Sequence, residues 1–93
     1  PPEHLLTKSD LNNMKYTVDI VTENKPGVLY RIAGLLTKRK INIERINAYA
    51  VKGNGISNIY FTADIDDKIV YTVVKQINRI IEVIEIKYHK VNY

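Results

Sequence analysis

Few of the 93 residues carry side chains suited to bond-making chemistry. There is no cysteine, which removes disulfide scaffolds, zinc fingers, iron–sulfur clusters and thiol catalysis. The two histidines, His4 and His89, stand far apart, and neither has an acid and a serine at relay spacing, so both read as surface residues. Asp64, Asp66 and Asp67 lie close enough in sequence to suggest a cation site. They fall, however, where a strand pattern gives way to a helix pattern, and there capping and complementarity to the helix dipole account for them. No P-loop, GxGxxG or HExxH occurs. The residues therefore predict a non-catalytic chain with no metal or cofactor of its own.

The densest local signal is Glu23-Asn24-Lys25-Pro26-Gly27-Val28-Leu29. Pro26 fixes φ near a helix start, at the first helical position, where its missing N–H costs nothing. Gly27 has no Cβ, so a ligand can approach the backbone closely. The free N–H groups of a first helical turn, at the positive end of the dipole, suit a carboxylate. Asn24 adds an amide with both donor and acceptor. Together they could seat a small zwitterion, although spacing alone favours a simple helix cap.

The elements that must position these residues follow from periodicity. Residues 1–14 have no sustained period and read as a leader, flexible or loosely docked, with Leu5, Leu6 and Leu11 spaced as one amphipathic turn. From Lys15 onward, Tyr16, Val18 and Ile20 alternate with Thr17, Asp19 and Val21, a half-buried strand. Val28, Leu29, Ile32, Ala33, Leu35 and Leu36 then recur at helical spacing, and Lys38, Arg39 and Lys40 complement the dipole at the far end. A second strand spans roughly 43–52, with Ile46, Ala48 and Ala50 on one face. Lys52-Gly53-Asn54-Gly55 is a hairpin turn. The third strand spans about 56–65 with Ile59, Phe61, Ala63 and Ile65 inward. Asp66 or Asp67 is expected to cap a second helix whose stripe is Ile69, Val70, Val73, Val74, Ile77 and Ile80. The last strand, about 83–91, sets Ile84, Ile86 and Tyr88 against Glu85, Lys87 and His89. The order β-α-β-β-α-β predicts an α+β, ferredoxin-like sandwich: a four-stranded antiparallel sheet with two helices on one face.

Composition narrows the partners. A net charge of +4 with ten Lys against four Arg is a mild basic balance, below that of a dedicated nucleic-acid binder. Tyr49 and Tyr60 are expected to face away from the helices, where an RNA-recognition domain carries its stacking aromatics. The third strand, Asn58-Ile59-Tyr60-Phe61-Thr62-Ala63-Asp64, lacks that module's basic residue, glycine and aromatic spacing, so RNA is the weaker reading. No apolar run approaches a membrane span and no leader resembles a signal peptide, which makes the cytoplasm the default expectation. The middle of strand two, Ile46 to Val51, is uncharged, so a dimer or larger assembly through that edge is expected.

Asn24-Lys25-Pro26-Gly27-Val28-Leu29, followed by Arg31-Ile32-Ala33-Gly34-Leu35-Leu36 and Asn42-Ile43-Glu44, resembles an ACT domain, specifically that of the regulatory (small) subunit of acetolactate synthase, or acetohydroxyacid synthase. That family's pattern E-N-x-P-G-x-L-x-R-x-x-G-L-F-x-x-R-x-x-N-I-E-S-L is met in register except at Leu36, Arg45 and Ile46, and the likeness covers about residues 15–91. Most members continue into a second, C-terminal domain. The 93 residues therefore suggest a single-domain version, a shortened form or a stand-alone ACT sensor of another amino acid. The resemblance implies an ACT domain over 15–93 that binds a branched-chain amino acid at a dimer interface: valine, with leucine and isoleucine as alternatives. It implies effector contacts at Asn24, Pro26, Gly27, Val28, Leu29, Asn42 and Ile43. Amides near Gly27 to Leu29 would hold the carboxylate, Asn24 or Asn42 the ammonium, and small apolar groups would meet the effector's side chain. The implied partner is the thiamine-diphosphate-dependent catalytic subunit, whose activity the small subunit raises and subjects to end-product inhibition.

Overall fold

A computed structural model describes residues 14–91. His4, Leu5, Leu6 and Leu11 lie outside the described residues, as do positions 92–93. The elements run β1 (Met14–Glu23), α1 (Val28–Lys38), β2 (Asn42–Val51), β3 (Ile56–Ile65), α2 (Val70–Asn78) and β4 (Val83–Lys90). Met14, expected in the leader, is the first residue of β1. The sheet order is β2-β3-β1-β4 with every neighbouring pair antiparallel, so β1 and β3 are central and β2 and β4 are edges.

The alternation read from the sequence decides which side is covered. Tyr16, Val18 and Ile20 of β1 and Ile59, Phe61, Ala63 and Ile65 of β3 are buried beneath Val28, Ile32 and Leu36 of α1 and Val70, Val73, Val74 and Ile77 of α2. Burying a side chain of this size contributes roughly 1.5–3 kcal/mol, so this one layer dominates the stability. Leu29, expected in the core stripe, is 41% exposed because α1 meets the sheet along the narrower Val28-Ile32-Leu36 line.

Two edge strands depart from simple alternation. In β2 the register passes from Ile43↔Ala63 to Arg45↔Thr62, so Glu44 is an extra, bulged residue. The bulge turns both Ile43 and Ile46 toward the core. Ala48 and Ala50 lie opposite Ile59 and Ser57 but are exposed, not buried as their spacing suggested. In β4 the register against β1 shifts between Val21 and Thr22, which leaves Ile84 bulged and 56% exposed. Val83 takes the inward place that Ile84 was expected to fill.

Asp66 holds the turn before α2, its Oδ1 accepting the Lys68 N–H at 2.8 Å, although α2 itself begins at Val70 without a side-chain cap. Asp67 does not cap. It accepts the Tyr16 hydroxyl at 2.5 Å and the Lys90 ammonium at 3.0 Å. Thr17 Oγ1 and His89 Nε2 lie 2.6 Å apart on the open sheet face. Among the described residues no group of three or more His, Cys, Asp or Glu is placed to hold a metal ion, and no helix is long and apolar enough to cross a membrane.

Two predictions follow from these contacts. At the end of α1, Ile41 N–H bonds to Leu36 C=O and Lys40 N–H to Thr37 C=O, a Schellman motif whose left-handed position, φ 59°, is held by Lys40. Lys40→Gly should raise stability by about 1 kcal/mol in urea unfolding, since glycine adopts that conformation without steric cost. Burial, reinforced by the Asp67 carboxylate, pushes the Tyr16 phenol from 10.0 up to about 12. The stability tied to that shift is complete below pH 10 and is lost as pH rises through 12. Tyr16→Phe should therefore flatten the alkaline limb of the melting-temperature profile across that window.

Candidate functional site at the β1–α1 turn

The chain leaves the central strand β1 at Glu23 and enters α1 at Val28. Lys25-Pro26-Gly27-Val28 makes the change of direction. Gly27 has φ 85° and ψ −8°, and Val28 N–H points to Lys25 C=O at 3.5 Å. These are the features of a type II turn, with proline at its second position and glycine at its third, where φ must be positive. Pro26 therefore serves the turn before the helix and is not its first residue, as the sequence suggested. The reason is that Gly27, not Pro26, adjoins the first helical residue.

Hydrogen bonds fix this turn from both sides. Toward β3, Asn24 N–H donates to Gly55 C=O at 2.8 Å, and the Ser57 hydroxyl donates to Asn24 Oδ1 at 2.9 Å. Toward β4, Glu23 N–H and the Thr22 hydroxyl both donate to Glu82 C=O at 2.9 Å. Thr22 is 1% exposed, so its hydroxyl needs that partner.

The helix start is left open. Gly27 offers no side-chain cap and the first turn contains no acidic residue. The first backbone bond within α1 is from Arg31 N–H to Gly27 C=O at 3.0 Å, so the N–H groups before it lack helical partners. An ideal Cβ on Gly27 would meet nothing within 4 Å, which leaves the approach to these amides clear. Partial positive charge from the dipole is unopposed there by any acid of the first turn.

Beside this opening is a cavity of about 240 Å³. Thr22, Glu23, Asn24, Lys25, Val28 and Leu29 line it from the β1–α1 segment, and Ala48, Tyr49, Ala50, Ser57 and Ile59 from β2 and β3. Drug-sized sites run roughly 300–1,000 Å³, so this volume suits a smaller molecule. The exposure of Ala48 and Ala50 now has a structural meaning: two methyl side chains leave space between β2 and the first turn of α1. Its lining mixes polar groups of Glu23, Asn24, Lys25 and Ser57 with aliphatic ones of Val28, Leu29, Ala48, Ala50 and Ile59, a composition suited to a small amphiphilic molecule.

Of the residues singled out from the sequence, Asn24, Val28 and Leu29 line the cavity, and Pro26 and Gly27 shape the turn beside it. Asn42 and Ile43 do not join them. They pair with Asp64 and Ala63, whereas Ala48 and Ala50 pair with Ile59 and Ser57. Six residues of strand separate Asn42 from Ala48, a distance of about 20 Å. Ser57, Ala48 and Ala50 were not anticipated as a wall. Ser57 is an unremarkable polar residue in sequence, and only the β3 register places it against Asn24.

Comparison with known proteins agrees with this fold. Residues 18–85 match the family model described as the AHAS small subunit-like ACT domain. The chain is 41% identical over 73 residues to the probable acetolactate synthase small subunit of Archaeoglobus fulgidus, covering 78% of this chain and 46% of that protein. It is 38% identical over 72 residues to the probable small subunit of Methanothermobacter thermautotrophicus, covering 77% and 43%. It thus spans less than half the length of these curated relatives. Among solved structures, the acetolactate synthase small subunit of Thermotoga maritima superposes with a TM-score of 0.70 at 28% identity, covering 80% of this chain and 46% of that one. The ACT domain of GTP pyrophosphokinase from Chlorobium tepidum shares the fold, with a TM-score of 0.71 at 20% identity over 83% of this chain and 99% of that one. An open helix start over a small cavity, on a β2-β3-β1-β4 sheet, is here carried by a chain that belongs to the AHAS small subunit-like ACT domain family.

Proposed function

We propose that the chain is the effector-binding domain of an acetolactate synthase small subunit and performs no chemistry itself. It binds a branched-chain amino acid, valine first, with leucine and isoleucine as alternatives, and passes the bound state to a catalytic subunit in the cytoplasm. The observation that carries this reading is the cavity of about 240 Å³ between the uncapped first turn of α1 and the alanines of β2. The effector's carboxylate takes the N–H groups near Gly27 to Leu29. Asn24 Oδ1 already accepts the Ser57 hydroxyl and keeps a second lone pair for an ammonium. Val28, Leu29, Ala48 and Ala50 receive an aliphatic side chain.

We further propose that a second copy completes the site. β2 is an edge strand, and its stretch from Ile46 to Val51 is uncharged, which suits pairing across a two-fold axis. Antiparallel pairing of β2 with its copy, centred between Ile46 and Asn47, sets Asn42 of the second copy opposite Val51. Asn42 and Ile43 then reach the cavity of the other chain, which they cannot reach in their own. An effector held between two copies changes the geometry of their contact. Any catalytic subunit that prefers one geometry then responds to the effector, by reciprocity of coupled binding.

Four outcomes test the reading. Light scattering at tens of micromolar should give a dimer or larger, and a monomer would remove the shared site. In a thermal-shift panel of amino acids, branched-chain members should raise the midpoint, by about 2.7 kcal/mol of added stability at a hundred times Kd. Gly27→Asp should abolish that shift, because the new carboxylate occupies open space where the effector's carboxylate belongs. A side chain is strained at φ 85°, by about 1–2 kcal/mol, so the variant should melt lower than wild type while keeping its fold by circular dichroism. Mixed with its catalytic subunit, the chain should raise turnover and valine should lower it. No co-purification and no change in turnover would favour a stand-alone sensor.

A further inference from the structure

Behind the β1–α1 turn, on the side away from the cavity, Arg31 of α1 meets Glu82 in the connection between α2 and β4. Arg31 Nη2 lies 2.8 Å from Glu82 Oε2, and Arg31 Nε reaches back to Gly27 C=O at 3.4 Å. The backbone carbonyl of the same Glu82 takes the Glu23 N–H and the Thr22 hydroxyl. One residue thus grips the last two residues of β1 through its backbone and the first turn of α1 through its side chain. Neither Arg31 nor Glu82 lines the cavity.

We propose that Arg31 and Glu82 are positioning residues for the effector site: together they set the angle between β1 and α1, and so the aim of the amides at Gly27 to Leu29. The inference rests on the effector reading above and adds to it residues that touch no effector. Stability is a weak reason for the pair. The Arg31 side chain is 44% exposed, and pairs of that kind contribute little. Glu82 Oε1 is buried with no hydrogen-bond partner among the described residues, an arrangement that costs free energy. What the pair supplies is a fixed direction for the guanidinium, which joins Glu82 to the carbonyl of the one residue whose φ makes the turn. The Arg31 guanidinium also holds the Glu82 carboxyl below its ordinary range.

The test compares the full chain with Glu82→Gln, Arg31→Lys and the exchanged pair Arg31→Glu with Glu82→Arg. L-valine affinity is read by calorimetry, the amide chemical shifts of Val28 and Leu29 in the effector-free chain by NMR, and folding by circular dichroism. Glu82→Gln should stay folded, bind valine about tenfold more weakly and show displaced shifts at both amides. Arg31→Lys keeps the charge without the fork to Gly27 and should show the same direction, which keeps the test decisive if Glu82→Gln does not fold. The exchanged pair restores the ion pair but leaves Gly27 C=O without its donor and puts an acid in the first turn of α1, so it should not recover the affinity lost. If the wild-type chain binds valine and the folded variants bind it equally well, the positioning role is overturned while the effector reading stands. If the wild-type chain binds no branched-chain amino acid, the effector reading fails. Unchanged amide shifts at Val28 and Leu29 in the variants would then overturn the positioning role as well.

Discussion

The β1–α1 turn constrains everything else in this domain. A central strand must hand the chain to a helix lying over the same sheet within four residues, Asn24 to Gly27. A type II bend at Pro26-Gly27 does this only with a positive φ at its third position, and Gly27 adopts 85°. The bend has a chemical consequence. Glycine at the helix boundary carries no side chain to cap the first turn, so the amides there stay open. The residue that permits the fold is thus the residue that leaves the first turn of α1 uncapped. The remaining contacts of the turn, to Gly55 and Ser57 on one flank and to Glu82 on the other, keep that opening in one place.

The central half of this architecture was legible in the sequence. Tyr16, Val18 and Ile20, and Ile59, Phe61, Ala63 and Ile65, alternate without interruption because β1 and β3 each have a neighbour on both sides and one face under helices. The edge strands were read less well. Glu44 and Ile84 are bulged residues, and a bulge shifts the inward set by one position without altering the local composition. Periodicity therefore promoted Ile84 to the core and passed over Val83. Pro26 was placed one step too far along, since a proline two residues before a helix and a proline at its first position differ only in the φ of the glycine between.

The site was legible in part for a different reason. Asn24, Val28 and Leu29 are local to the turn, so a short motif carries them. Ser57, Ala48 and Ala50 arrive through strand register, which no single segment encodes. Asn42 and Ile43 belong to the same motif in the family but sit about 20 Å from the cavity of their own chain. That separation is what makes a second copy physically meaningful: an edge strand paired with itself brings the start of β2 to the far end of β2.

Titration of the isotope-labelled protein with L-valine, followed in nitrogen–proton NMR spectra, bears on all of this at once. The backbone amides of Gly27, Val28 and Leu29 and the side-chain amides of Asn24 and Asn42 should shift together with one dissociation constant. Asn42 in that set would be the mark of a site shared by two copies. Shifts confined to the open sheet face around Asp19, Tyr60 and Lys87, or no shift at all, would contradict an effector seat at the start of α1.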